Sequence, residues 1–374
     1  MRWLLLLVSA LFLGLGLLTV FSSPDWLSWK LSILAVQFGY LLAVVPLAIA
    51  LAVFRPAGPA GALSAAVGLV AAAAFLLLVQ PCFQAWRIGR QLPAELTRQL
   101  GAATVPGSPF AFTGLFRPWP AAAPRRTLAY SGALLLDFYP AIGRPVAPCV
   151  VVIHGGGWDD GDRGQIANFN DGLARNGYAV ADISYRLAPA APWPAQRDDV
   201  AAAVAYVKGH AAELGVDPRR LVIFGRSAGG QIAEAAGYEL HDPAVRGVIG
   251  LYAPSDMNFA WKWGRPDDAL NSPRLMRAFL GGTPETRPAE YDSASALLQV
   301  NAGTPPTLMV HGSIDTLVWN RHSIRLAARL AEAGVPHYFL ALPWATHALE
   351  LNPRSPSGQL SDYAVLWFLA VVCR

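Results

Sequence analysis

Three long stretches without a charged side chain crowd the first eighty residues: Trp3 to Val20, Leu31 to Phe54 and Ala62 to Val79. Each approaches the ~20 residues a helix needs to cross a hydrocarbon core. A backbone in lipid has no water to bond and must satisfy its amides internally. The expectation is therefore about three transmembrane helices, near 3–20, 31–54 and 62–79, forming a multi-pass membrane region over 1–80. Pro46 should kink the second. The third is rich in small residues (Ala62, Ala65, Ala66, Gly68, Ala71 to Ala74), which lets helices approach closely. A buried pair of core helices is the soluble alternative, and uncharged runs this long argue against it. The first stretch also fits a cleaved signal peptide, with Arg2 as its basic start and Val20-Phe21-Ser22 as a poor cleavage site. Arg2 and Arg55 lie on one side of the spans, and Lys30, Arg87, Arg90 and Arg98 on the other. That asymmetry points to a cytoplasmic main domain, whereas cleavage of the first stretch would place it outside.

Charge excludes one broad class of function. Charged residues make up 14% of the chain, against about 25% in an ordinary soluble domain. The net charge is +4, and the residues after position 80 contribute no basic run. Phosphate-backbone binding needs a concentrated basic footprint, so no nucleic-acid partner is expected. Cys82, Cys149 and Cys373 are too few and too scattered for a disulfide framework or a metal cluster.

Residues 81–126 read as a connector. Phe83, Trp86, Arg87, Arg90, Leu92 and Leu96 suit a juxtamembrane helix, interfacial or simply solvated, and Pro106, Pro109, Pro118, Pro120 and Pro124 then stiffen an extended linker. From about Leu134 onward, short β-rich runs alternate with Ala-rich helical patterns. The strand candidates are Leu134 to Tyr139, Val150 to Ile153, Ala179 to Ser184, Leu221 to Phe224, Val245 to Leu251, Thr307 to Val310 and Tyr338 to Ala341. Near-continuous apolar strands separated by helices predict an α/β fold, a doubly wound and mostly parallel sheet covered on both faces. The catalytic domain is expected over 127–374, with an insertion or cap at about 254–303. Ligands of such sheets bind beyond the carboxyl ends of the strands.

Those ends carry the chemistry. Gly225-Arg226-Ser227-Ala228-Gly229-Gly230 follows an apolar strand and opens a helix. A serine on that tight turn projects its hydroxyl clear of the sheet, and the glycines leave room for the turn. Val150 to Ile153 ends in His154-Gly155-Gly156-Gly157-Trp158, where bare glycine amides suit an oxyanion, together with the amide of Ala228. The absence of GxxxxGK[ST] argues against a phosphate loop. A serine nucleophile needs a base, and the base needs an orienting acid. His347 follows the last strand candidate, and Asp315 lies on the loop after Thr307 to Val310. His154, His311 and His322 look structural. Asp159, Asp160 and Asp162 lack the glycine and distal glutamate of a calcium loop, so no metal is assigned.

These residues resemble the α/β-hydrolase superfamily, in the esterase branch of carboxylesterases and feruloyl- or acetyl-xylan-esterase-like enzymes. The resemblance covers about Leu134 to Leu349. It rests on HGGGW at His154, Ser184-Tyr185-Arg186-Leu187-Ala188-Pro189, GRSAGG at Gly225 and HGSIDTLV at His311. It implies nucleophile Ser227, acid Asp315, base His347 and oxyanion amides from Gly156, Gly157 and Ala228. It also implies a small-molecule ester substrate and no cofactor. Two departures bear on substrate preference. Trp319, not proline, follows Val318, and Arg226 stands where hormone-sensitive-lipase-like members have aspartate. In the insertion, Met257-Asn258-Phe259-Ala260-Trp261-Lys262-Trp263 alternates large apolar and other residues. Phe259, Trp261 and Trp263 are expected to cap the acyl pocket or touch lipid, with Trp158, Trp193 and Trp344 extending its wall. The whole reads as a membrane-anchored serine carboxylesterase. A peptidase or amidase of the same fold, or a non-catalytic binding protein on this scaffold, is the alternative.

Overall fold

The computed structural model describes residues 1–55, 61–118 and 120–374. Four helices come first: α1 (Arg2–Leu17), α2 (Trp26–Leu42), α3 (Val44–Phe54) and α4 (Ala62–Leu100). After a short 3-10 turn at Phe112–Phe116 come β1 (Arg126–Ser131), β2 (Leu134–Tyr139), β3 (Ala147–Ile153), α5 (Ala167–Arg175), β4 (Ala179–Ile183), α6 (Ala195–Gly209), α7 (Ala211–Leu214) and β5 (Val216–Arg226). The next elements are α8 (Ala228–Glu239), β6 (Val245–Leu251), α9 (Met257–Trp263), α10 (Ser272–Leu280), α11 (Pro288–Ser293) and α12 (Ala296–Gln299). The chain then forms β7 (Thr307–Gly312), α13 (Arg321–Glu332), β8 (His337–Leu342) and α14 (Pro356–Val372).

The strands make one sheet in the order β1-β2-β4-β3-β5-β6-β7-β8. From β4 to β8 every pairing is parallel, and β1 and β2 add an antiparallel edge. The strand order reverses at β3 and β5, which opens a crevice beyond their carboxyl ends. Strand β3 shows why the sheet is double-faced. Cys149, Val151 and Ile153 pack with α6, α8 and α13, while Val150 and Val152 pack with α5 and α14. The period-two alternation of side chains puts both sets in apolar cores. Strand β1 is missing from the sequence-derived set. Its burial alternates with exposed residues in Arg126-Thr127-Leu128-Ala129-Tyr130-Ser131, so it carries no continuous apolar signal.

The front of the chain departs from expectation. Among the described residues, α4 alone is long and apolar enough to cross a membrane by itself. Helices α2 and α3 pass that test only as a pair bent by 50°, and α1 is a shorter apolar helix. Three separate spans are therefore replaced by one candidate span, or two if the bent pair counts as one. The bend falls where Pro46, in the first turn of α3, cannot donate to the carbonyl of Leu42. The expected boundary at residue 81 is also absent. Helix α4 runs through Pro81 and Pro93, because Cys82, Ala85, Leu92 and Leu96 on its second half are built into the core behind the sheet. At 39 residues it is about 58 Å long, roughly twice the hydrocarbon thickness. Its first half packs on α1 and α3. A Cβ on Gly16 would lie 2.8 Å from Leu77 Cβ, and one on Gly68 would lie 2.6 Å from the Phe54 ring.

Candidate active site

Strand β5 ends at Arg226, and the next residue turns sharply into α8. Ser227 has φ 53° and ψ −122°, a conformation an L-residue adopts only under constraint. The glycines beside it are obligatory by contact. A Cβ on Gly225 would stand 1.9 Å from the Gly229 carbonyl oxygen, and one on Gly229 would stand 2.2 Å from that of His154. The turn thus lifts the Ser227 hydroxyl over the end of the sheet, beside the glycine loop that follows β3.

His347 reaches this hydroxyl from the loop between β8 and α14, its Nε2 2.9 Å from Ser227 Oγ. Its Nδ1 is 2.7 Å from Asp315 Oδ2. The other carboxylate oxygen of Asp315 accepts the backbone amides of Leu317 at 2.9 Å and Val318 at 3.0 Å. Complete burial alone would raise the Asp315 carboxyl. The charge of His347 and hydrogen bonds from His311 and His347 outweigh it and hold the group well below the ordinary carboxylate range. Asp315 is thus an anion at the far end of a continuous hydrogen-bonded line from Ser227. The sequence-predicted residues Ser227, Asp315 and His347 come together.

Gly156, Gly157 and Ala228 face the same cavity as Ser227 and His347. Gly156 has φ +126°, and a Cβ there would lie 2.0 Å from the Asp160 carbonyl oxygen. Only glycine permits this loop path, which keeps its amides bare. The cavity measures about 770 Å³, in the range of sites that enclose a drug-sized ligand.

The predicted pocket aromatics divide. Trp158, Phe259 and Trp263 line the cavity. Trp158 is held by its indole N–H donating to Gln231 at 2.9 Å and by stacking on Phe279 at 4.5 Å. Trp261 does not line it. The segment is a helix, so residues 259 and 263 share a face and 261 points elsewhere. Its ring packs on Tyr291 at 5.8 Å. Trp344 is fully buried in the core behind the sheet. Trp193 is buried against Phe279, its N–H donating to Ser293 at 2.9 Å.

Other groups brace Asp315 and His347, and apart from His311, expected to be structural, sequence reasoning missed them. His311 bridges Ser323 Oγ at 2.8 Å and the Val318 carbonyl at 2.9 Å, and lies 3.4 Å from Asp315. The ring of Tyr252, at the end of β6, rests on His347 with centroids 4.3 Å apart. Its hydroxyl donates to Glu350 at 2.7 Å, and Arg226 Nε donates to the same oxygen at 2.8 Å. Both charged residues are almost wholly buried, and the guanidinium also lies over the rings of Phe169 and Phe224. The only advance signal was position, because Arg226 precedes the serine and Glu350 follows the histidine by three. Gln37 of α2 is the other omission. Its amide donates to the Leu349 carbonyl at 2.8 Å and accepts from the Asn352 amide at 3.1 Å, tying α2 to the loop that carries His347. A lone buried amide in an otherwise apolar run was the clue.

Known proteins agree with this architecture. The BD-FAE family model matches residues 136–330. The probable carboxylic ester hydrolase LipM of Mycobacterium tuberculosis is 29% identical over 326 residues, which is 76% of this chain and 74% of LipM. Esterase LipC of the same organism is 28% identical over 322 residues, 75% of this chain and 78% of LipC. Among solved structures, a bacterial heroin esterase aligns with a TM-score of 0.60 at 23% identity, over 77% of this chain and 93% of its own, which speaks to the fold. An esterase of the bacterial hormone-sensitive lipase family aligns with a TM-score of 0.58 at 26% identity, over 69% of this chain and 87% of its own. With its family match covering more than half its length and a sheet of this topology, the chain is an α/β-hydrolase and belongs to the BD-FAE family.

Proposed function

We propose that this ester hydrolase is a membrane-anchored serine carboxylesterase that works through an acyl-enzyme. Ser227 Oγ attacks the ester carbonyl while His347 Nε2 takes its proton. The imidazolium then protonates the leaving alkoxide, and the alcohol departs. Water, deprotonated by His347, attacks the acyl-enzyme, and the imidazolium so formed returns that proton to Ser227 Oγ as the acid leaves. Asp315 holds Nδ1–H and stabilises the imidazolium at each stage. The amides of Gly156, Gly157 and Ala228 stabilise the two tetrahedral oxyanions. No cofactor enters this scheme.

The observation that carries the reading is the unbroken line from Ser227 Oγ through His347 to Asp315, at 2.9 and 2.7 Å. Anchoring rests on α4, whose first half is apolar and whose second half is part of the hydrolase core. The catalytic unit therefore comprises residues 127–374 together with the docked end of α4, and the segment before it is the membrane part. Ser227→Ala should abolish turnover of p-nitrophenyl acetate and labelling by a fluorophosphonate probe. Undiminished turnover by that variant overturns the assignment.

A further inference from the structure

The catalytic cavity is not closed by the hydrolase domain alone. Trp26 and Trp29, in the first turn of α2, line it together with Ser227 and His347. The two indoles lie against each other with centroids 4.5 Å apart. Trp263 and Trp319 also line the cavity, as a second pair at 5.9 Å. Trp26, Trp263 and Trp319 are each more than two-fifths exposed. Exposed indoles around an opening are out of place in bulk water and well placed at a lipid–water boundary, where one edge of the ring is wet and the body apolar.

The position of that boundary follows from the helices. The charges of α4 begin at Arg87, after its apolar half. Helix α2 meets α4 nine residues, or about 13 Å of helix, before this point, since a Cβ on Gly39 would lie 2.9 Å from the Leu78 carbonyl oxygen. From Gly39 back to Trp26 is thirteen residues, or about 20 Å of helix. Along that path Leu27, Leu31 and Leu34 are exposed. The one cation, Lys30, sits over the Trp26 ring at 5.3 Å. The first turn is capped by the exposed carboxylate of Asp25, which accepts the amides of Leu27 and Ser28. An apolar outer face with a charged, capped start is the pattern of a helix lying at the interface and ending at the mouth of the cavity.

We infer that the substrate is a long-chain acyl ester resident in the membrane, whose chain passes from the lipid along α2 and between the two tryptophan pairs to Ser227. This names the substrate class of the site proposed above and rests on that reading. Helix α2 is then a wall of the active site as well as a link to the anchor.

The test uses the full chain in proteoliposomes, with p-nitrophenyl palmitate partitioned into the bilayer and p-nitrophenyl acetate in water. The quantity read is kcat/KM for palmitate divided by kcat/KM for acetate. Both come from one preparation, so the ratio is independent of the fraction of folded enzyme. The Trp26→Ala/Trp29→Ala variant should lower the ratio at least about tenfold, the scale set by removing apolar pocket contacts. Trp263→Ala/Trp319→Ala, the other pair lining the cavity, should lower it in the same direction. An unchanged ratio, equal losses on both esters, or no palmitate turnover by the wild type overturns the inference. Failure of the esterase reading looks different: the wild type would then hydrolyse neither ester and take no fluorophosphonate label, and the inference would fall with it.

Discussion

Breaking the buried pair Arg226–Glu350 should cost more than removing it whole. The two side chains are 1% and 0% exposed and meet at 2.8 Å. Glu350→Ala leaves the buried guanidinium without its hydrogen-bonded carboxylate, a loss of about 3–5 kcal/mol when one partner of a buried pair is deleted. The Tyr252 hydroxyl also loses its acceptor, adding about 1–3 kcal/mol. In a domain of this size each kcal/mol moves the melting temperature about 2–4 °C, so the single variant should melt some ~8–30 °C lower. Arg226→Met together with Glu350→Leu replaces the pair by apolar groups of similar volume. Such replacements are often neutral or better, so the double variant should return to within about 2 kcal/mol of the wild type. Denaturant titration of the detergent-solubilised protein, followed by tryptophan fluorescence, supplies the four corners of a double-mutant cycle. Additive losses, or single variants within about 1 kcal/mol of the wild type, would refute the claim that the two buried charges are strongly coupled.

Three further outcomes follow from the site. Asp315→Asn should lower kcat about 10⁴-fold with little change in KM, because the amide cannot hold the productive imidazole tautomer; a loss below about tenfold in steady-state assays would remove Asp315 from the acid role. Gly156→Ala puts a methyl 2.0 Å from the Asp160 carbonyl oxygen at φ +126°, so it should displace the oxyanion loop and cut kcat about 10²–10³-fold, and wild-type turnover would show that the loop plays no part. Burial pushes the carboxyl of Glu234 in α8 up to about 8, only partly offset by Ser255. The unfolded chain then ionises near pH 4.5 while the folded one keeps its proton, so stability from this group is complete below that pH and falls until about pH 8. Glu234→Gln removes the fall, so its stabilisation over the wild type should grow between pH 5 and 8 by at most about 1.4 kcal/mol per unit. A pH-independent difference between the two melting curves would contradict this.

The tight turn at Ser227, the glycine loop and the strand-end positions of Asp315 and His347 were legible in the sequence. Each lies at the end of a strand that is apolar on both faces, and local rules of strand, turn and helix operate within a few residues. The expectation for the pocket aromatics failed at one of them. Phe259, Trp261 and Trp263 looked like a period-two stripe, yet their helix sends 261 away from 259 and 263. Composition identified an apolar front end but divided it wrongly. A run of uncharged residues has the same hydropathy whether it is straight, bent at Pro46 or continued past Pro81 into the core behind the sheet.

What the chain order alone determined was therefore a set of local geometries: where strands stop, where a serine is forced onto a strained turn, and where amides stand bare. Only the tertiary structure decided which distant groups serve them. Arg226 and Glu350 are 124 positions apart, and Gln37 lies 312 positions before the carbonyl it holds. Contacts at such separation leave no periodicity to read. They exist because the sheet brings the ends of β5, β6 and β8 to one edge and α2 docks against it.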